Sequence, residues 1–429
     1  MNHVAKITLI LLGSIIALII IFMIYVKIKY RFWSIQPVFH FYDIYYWFFS
    51  VGIIRHELPE KNKFCNFENV ETVISTKVKD YQFAKFLNLV RGHFLHNDEN
   101  EFLPKQCNVM PYFIGHNSPC FFSFYWENVL LQDSPLSTST IEDRKLIGCI
   151  TSRPLHVKIN NGNKDAFFDA HYIDYLCVDK HSRKKGVAAQ IIQTHEYNQS
   201  HIAKQIQIGI FKREDSLIGI VPLTVYPTYG FSMRKWNALT NLPADVTLLE
   251  CNPQNLYYLH DFVKRQSSLF DITIMPEFTN IVELVKTHNI YIYMILKDDE
   301  VMAAYFFRKS CVYIRKDEQA LTCFASINGG LKNDLFIHGY KVSLWKIRNS
   351  TESIKSTLIS KENEKRKGKK CVTFQNHYNF AVVENISHND IIIKNLLLKT
   401  HPEIISPTAY FFYNFVYSSF KPKRVFILN

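Results

Sequence analysis

No Cys-x-x-Cys pair and no Cys/His ligand spacing occurs among the nine cysteines of this 429-residue chain. With an odd count, they suggest free thiols in a reducing compartment, and neither a disulfide framework nor a zinc site is expected. The seventeen histidines form no His-x-x-x-His pair with a following acid, so no metal ligands are expected among them. Acid is also in short supply. Asp and Glu number 38 against 50 Lys and Arg, a net charge of +12 that would suit nucleic acid, an anionic membrane or an anionic cofactor. The cations do not gather into a recognised nucleic-acid module, and the aromatics sit mostly in apolar strand-like runs such as FFSFYW (121–126) and AYFFYNF (409–415). The membrane and the anionic cofactor are therefore preferred, and nucleic acid is set aside.

What the chain does have in quantity is apolar surface. At 48% hydrophobic, 429 residues exceed one ordinary core and suggest two packed lobes of about 200 residues each. Ile7 to Val26 is a run of twenty residues without a charge. As a helix it would be about 30 Å long and would span a bilayer. No small-x-small cleavage site follows it, which argues for an anchor over a cleaved secretory signal. Lys6 alone precedes the run, whereas Lys27, Lys29 and Arg31 follow closely, so the body of the protein is expected in the cytosol.

Beyond the anchor the pattern is mixed α/β. RKLIGCITSRPLHVKI (144–159) and residues 171–178 read as successive strands, and YQFAKFLNLVRGHF carries Phe83, Phe86, Leu87 and Val90 at helical spacing. Near Ile290, IYIYMILKDDEVMAAYFFRK reads as a strand, an acidic turn and a second strand, a weak echo of the earlier strands. NPQNLYYLHDFVKRQSSLF before it is expected to be a helix, and KENEKRKGKK (361–370) a solvated basic loop.

The most informative stretch is HYIDYLCVDKHSRKKGVAAQII (171–192). Ile173, Tyr175, Leu176, Cys177 and Val178 are apolar or β-favouring. Arg183-Lys184-Lys185-Gly186 forms a basic turn, and Val187, Ala188, Ala189, Ile191 and Ile192 begin a helix. A pyrophosphate there would meet free N–H groups at the helix start, with Gly186 allowing close backbone approach. Adjacent N–H groups in the preceding strand could converge on a ligand only if that strand were bulged.

Arg-x-x-Gly-x-Ala within this turn is the short acyl-CoA signature of the acetyltransferase superfamily. Three further segments stand in colinear order with it: Tyr30-Arg31-Phe32-Trp33-Ser34-Ile35-Gln36-Pro37-Val38, RKLIGCI at 144–150, and the terminal FFYNFVYSSFKPKRVFILN. Together they resemble the glycylpeptide N-tetradecanoyltransferase (protein N-myristoyltransferase) family over about residues 29–429. The resemblance implies an α/β (α+β) fold of two tandem GNAT-like acyl-CoA N-acyltransferase lobes preceded by one transmembrane helix. The corresponding division is an anchor at 1–28, an acyl-CoA-binding lobe at 29–225 and a peptide-binding lobe at 226–429. It further implies a monomer, with no permanently bound cofactor, that transfers a myristoyl group from myristoyl-CoA to the N-terminal glycine amine of client peptides.

The resemblance also assigns residues. Backbone N–H groups of Tyr175 and Leu176 would stabilise the oxyanion, with Cys177 and Val178 continuing the strand. Arg183, Lys184, Lys185, Gly186, Val187 and Ala188 would hold the pyrophosphate. Tyr30, Phe32 and Trp33 would cover the CoA end, unless Phe32 and Trp33 anchor in the headgroup zone. The carboxylate of Asn429 would be the general base, and Asp174, where the family usually has Asn, is the competing base. Two departures stand out: Ile404-Ile405-Ser406 takes the place of a Gly-Asp-Gly loop, and residues 206–212 replace a Tyr-Thr-Ala-Gly strand. The alternatives are a degenerate acyl-CoA or acyl-chain binding scaffold at a membrane, and another amine N-acyltransferase that uses Asp174.

Overall fold

A computed structural model of the chain describes residues 3–49, 52–95, 100–132, 140–160, 165–214, 219–236, 241–314, 318–352, 374–375 and 378–429. The basic loop expected at 361–370 lies outside the described residues. Helix α1 (His3–Lys29) opens the chain. Its Ile10–Lys29 segment, with mean hydropathy 2.6 and 6% buried, is long and apolar enough to cross a membrane.

The body is built from one structural run used twice. In the first, strands β1 (Phe121–Gln132), β2 (Thr140–Ile159) and β3 (Ala166–Val178) pair antiparallel, and a helix leads to β4 (Ile208–Glu214), which pairs parallel to β3. Strand β5 (Thr224–Ser232) follows, then β6 (Ile272–Met275). In the second run, β7 (Ile290–Lys297), β8 (Glu300–Ile314) and β9 (Glu318–Asn328) are again antiparallel, and a helix leads to β10 (Tyr378–Glu384), parallel to β9. Strands β11 (Ile404–Tyr413) and β12 (Val425–Ile427) end the chain. The echo near Ile290 is thus a repeat of topology.

The two runs exchange strands. Strand β5 pairs with β10 of the second run, β11 pairs with β4 of the first, and β5 and β11 pair with each other. A single sheet contains the order β12-β6-β2-β3-β4-β11-β5-β10-β9-β8-β7, with β1 pairing with β2 off this path and Thr247–Glu250 on the outer edge of β7. The division expected at 225/226 falls inside β5, the strand that the first run hands to the second.

Burial follows pattern. The interior strand β9 is buried at every position but its last, as its apolar run requires. Helix α2 (Asp80–His93) buries Phe83, Phe86, Leu87, Leu89 and Val90 on one stripe. Helix α3 (Val187–Ile202) packs on β2 where Gly148 leaves room, since a Cβ there would collide with Ile191. The terminal β12 pairs with β6, and the Phe426 ring packs between Phe270 and Phe306 at 5.5 and 5.3 Å, fully buried. The tail is therefore a core strand. Phe426→Ala should lower unfolding stability by about 3–5 kcal/mol, measured by chemical denaturation. A loss below about 1 kcal/mol, the range of surface changes, would mean that the tail does not pack in solution.

Candidate active site

Two local irregularities of β3 create the site. Strands β3 and β4 pair from Ala170↔Ile208 to Ile173↔Phe211, and pairing stops there although both strands continue. On the other side of β3 the register passes from Thr151↔Asp174 to Cys149↔Cys177, so that Ile150 alone faces Tyr175 and Leu176. This is a bulge of two residues against one. Tyr175 sits there with φ 49°, a left-handed conformation that costs a bulky residue energy unless packing enforces it. Packing does so: its buried ring meets Phe86, Phe94 and Phe102 at 5.5, 5.5 and 6.3 Å. Thr151 Oγ1 donates to the Asp174 carbonyl at 3.2 Å and Cys149 Sγ to the Tyr175 carbonyl at 3.4 Å. The Tyr175 N–H, one of the two expected oxyanion donors, donates to Asp174 Oδ1 at 2.8 Å.

Two cavities meet at this bulge. The first, about 430 Å³, lies between the diverging β3 and β4 and under α3, lined by Ile173, Leu176, Ile192, Phe211 and Trp33 among others. The second, about 260 Å³, opens between β3 and the second run, lined by Tyr112, Arg153, Thr228, Arg308, Glu384 and Ser406 among others. Asp174 and Tyr175 line both. Of the three N-terminal aromatics, Trp33 reaches the first cavity and stacks on Phe211 at 6.0 Å. Phe32 buttresses Trp33 edge-on at 5.3 Å, while Tyr30 stays exposed at the end of α1 beneath the Lys29 ammonium, 5.6 Å away.

The basic turn leaves the start of α3 open. Lys184 and Gly186 take φ 63° and 82°, and α3 starts at Val187 with nothing within 4 Å of a Cβ built on Gly186. Lys184 and Lys185 are exposed. Arg183 is spent differently: its Nε donates to the Val178 carbonyl at 3.2 Å and its Nη2 to the His93 carbonyl at 2.8 Å, which ties the turn to the end of α2. Asp179 holds the same turn through the His181 N–H at 2.9 Å and Lys145 at 3.0 Å. Cys177, Val178 and Val187 are buried, and Ala188 is half-buried.

Below the cavities lies a charge cluster that sequence reasoning missed. Glu384 bonds Lys212 Nζ at 3.0 Å, the Tyr226 hydroxyl, and Arg308 Nη2 at 3.6 Å. Burial would raise its carboxyl, but Lys212 and Arg308 hold it below the usual carboxylate range. The signal was present in Lys212 and Arg308, each the first of two adjacent cations (Lys212-Arg213 and Arg308-Lys309) that follow an apolar run. Asn429 is buried behind this cluster, its Nδ2 donating to the Tyr410 hydroxyl at 3.4 Å, and does not line either cavity. Ile404 to Ser406, expected in the place of a loop, form the start of strand β11.

His195 on α3 lines the first cavity and links two strands, with Nδ1 at 2.8 Å from Ser123 Oγ and Nε2 at 2.9 Å from Ser152 Oγ. Burial pushes its pKa down from 6.5 to about 3. The unfolded chain therefore binds this proton first as pH falls, and stability drops between pH 6.5 and about 3. Replacing His195 with Gln should flatten that part of a stability-versus-pH curve. An unchanged slope would mean that the imidazole is already solvated.

No family model matches the sequence, and no curated protein matches it. Among solved structures, Saccharomyces cerevisiae N-myristoyltransferase with bound myristoyl-CoA superposes with a TM-score of 0.61 at 11% identity, covering 91% of this chain and 94% of that one. The same enzyme with bound myristoyl-CoA and inhibitors gives 0.62 at 12% identity, covering 91% of each. At such identity the likeness is one of fold, and it extends over both runs and the strands they exchange. The chain has the fold of N-myristoyltransferase.

Proposed function

We propose that this protein is an acyl-CoA-dependent N-acyltransferase that moves a myristoyl group from myristoyl-CoA to the N-terminal glycine amine of a peptide. One observation carries the reading: the bulge at Tyr175-Leu176 stands at the mouth of the β3/β4 split, with a phosphate-cradling turn at the end of the same strand. The pantetheine would lie in the first cavity, with its pyrophosphate over Gly186 and the exposed Lys184 and Lys185. The thioester oxygen would accept from the Tyr175 and Leu176 N–H groups once the Asp174 carboxylate moves aside. The acceptor, entering through the second cavity, loses a proton from its ammonium to a carboxylate. Its nitrogen then attacks the thioester carbon, the C–N bond forms, the C–S bond breaks, and CoA departs as the thiol carrying a proton.

Two carboxylates can take that proton. The resemblance points to the α-carboxylate of Asn429. Asp174 is favoured by its place in the walls of both cavities. The scaffold reading has its own support, since a carboxylate already occupies the Tyr175 N–H.

The test is mass spectrometry of the full chain incubated with myristoyl-CoA and peptides that begin with glycine. An acylated peptide is expected, and CoA binding without product would favour the scaffold. Lys184→Ala with Lys185→Ala should weaken myristoyl-CoA binding about tenfold, with a smaller salt dependence than the parent. Unchanged affinity would move the pyrophosphate elsewhere. Adding a glycine after Asn429 should abolish transfer if the terminal carboxylate is the base, whereas Asp174→Asn should do so if Asp174 is.

We further propose that α1 spans a membrane with the body in the cytosol. The full chain should resist carbonate extraction, while the chain starting at Lys27 should not sediment with membranes. A secreted, processed form would overturn this.

A further inference from the structure

The second cavity contains two groups of opposite charge that form no ion pair among the described residues. Asp174 accepts the Tyr175 N–H and meets no cation at salt-bridge distance. Arg153, 3% exposed, lies between the rings of Tyr112 and Tyr172 at 4.8 and 4.9 Å, and no carboxylate pairs with it. Four other charged groups around this cavity are paired with one another: Lys212 with Glu384 and Glu214 at 3.0 and 3.6 Å, and Arg308 with Glu384 at 3.6 Å. A third group points the same way. The Tyr112 hydroxyl, in a residue 7% exposed on the cavity wall, has no hydrogen-bond partner.

A buried cation without a counter-ion and a buried phenol without a partner are both costly, and a ligand anion would relieve both. The two aromatic rings, 4.8 and 4.9 Å from the Arg153 Cζ, supply no hydrogen-bond acceptor in their faces, so the guanidinium N–H groups suit a planar acceptor such as a carboxylate. Asp174, on the wall of the same 260 Å³ cavity, faces the bulge where the amine must react. Arg153 and Asp174 line one cavity of about 260 Å³, so the two charges they would meet lie on one compact part of the acceptor.

We infer that the acceptor carries a carboxylate within about one residue of its reacting amine, the ammonium meeting Asp174 and the carboxylate meeting Arg153 and the Tyr112 hydroxyl. This rests on the acyltransferase reading and specifies its acceptor. Two sources supply the chemistry: an acidic residue directly after the N-terminal glycine of a peptide, or the α-carboxylate of a free amino acid.

The experiment uses the full chain and a thioether analogue of myristoyl-CoA that binds without transferring its chain. Calorimetry then compares otherwise identical peptides beginning Gly-Asp, Gly-Asn and Gly-Lys, and free glycine. The Gly-Asp peptide is expected to bind about tenfold more tightly than the other two. Arg153→Met should bring the three peptides within about twofold of one another while analogue binding is unchanged. Tyr112→Phe, which removes a hydroxyl with no partner and so spares the fold, should reduce the Gly-Asp preference about threefold. If only free glycine binds, and does so through Arg153, the α-carboxylate is the source. Equal binding of all three peptides, or a preference for Gly-Lys, overturns the inference if free glycine also binds independently of Arg153 or not at all. If the analogue itself fails to bind, the acyltransferase reading falls, and this inference with it.

Discussion

Everything at the candidate site depends on the point where β3 stops pairing with β4. Up to Ile173 and Phe211 the two strands satisfy each other's backbone groups; beyond them the strands separate and a cavity takes the place of a ladder. The bulge at Tyr175 turns β3 at that point, and it persists because three phenylalanine rings and two side-chain hydrogen bonds hold a residue in a conformation it would not otherwise adopt. Helix α3 closes the cavity from one side, and Gly148 is the residue that lets it sit close enough.

The second constraint is electrostatic and joins the two runs. Lys212 belongs to β4, Tyr226 to β5, Arg308 to β8 and Glu384 to β10, so one carboxylate draws groups from both runs beneath both cavities. Removing one member of such a buried set typically costs about 3–5 kcal/mol because it strands the others. The same low-dielectric floor strengthens any charge interaction made by a ligand above it. Arg153 and Asp174 stand outside this internal pairing, which is why they can be directed at an acceptor.

Much of this was legible in the sequence where the determinants are local. Helix α2, the strand-turn-helix around Gly186 and the paired strands after Ile290 all follow from residues within a few positions of one another, whereas the bulge before Cys177 was expected only through the oxyanion role that the resemblance implied. What was not legible depends on distant partners. Arg183 reads as a free cation until its bonds to the Val178 carbonyl and to the His93 carbonyl, ninety residues earlier, are seen. The exchange of β5 and β11 leaves no mark in the periodicity of either strand, so the sequence does not show that the division at 225/226 lies within β5. Tyr30, Phe32 and Trp33 are adjacent in sequence, yet only the turn after α1 decides that Trp33 reaches the cavity. The isolated Arg153 is likewise invisible until Tyr112 and Tyr172 are seen on either side of it.

The central claim is that the bulge binds a thioester oxygen, and a crystal structure of the chain with a non-transferable thioether analogue of myristoyl-CoA tests it most directly. With an analogue that keeps the carbonyl as a ketone by a methylene inserted between it and the sulfur, the account expects the pantetheine in the split between β3 and β4, the ketone oxygen within hydrogen-bond distance of the Tyr175 and Leu176 nitrogens, and the Asp174 carboxylate displaced from Tyr175. An analogue bound elsewhere, with the contact between Asp174 and the Tyr175 N–H intact, would contradict it.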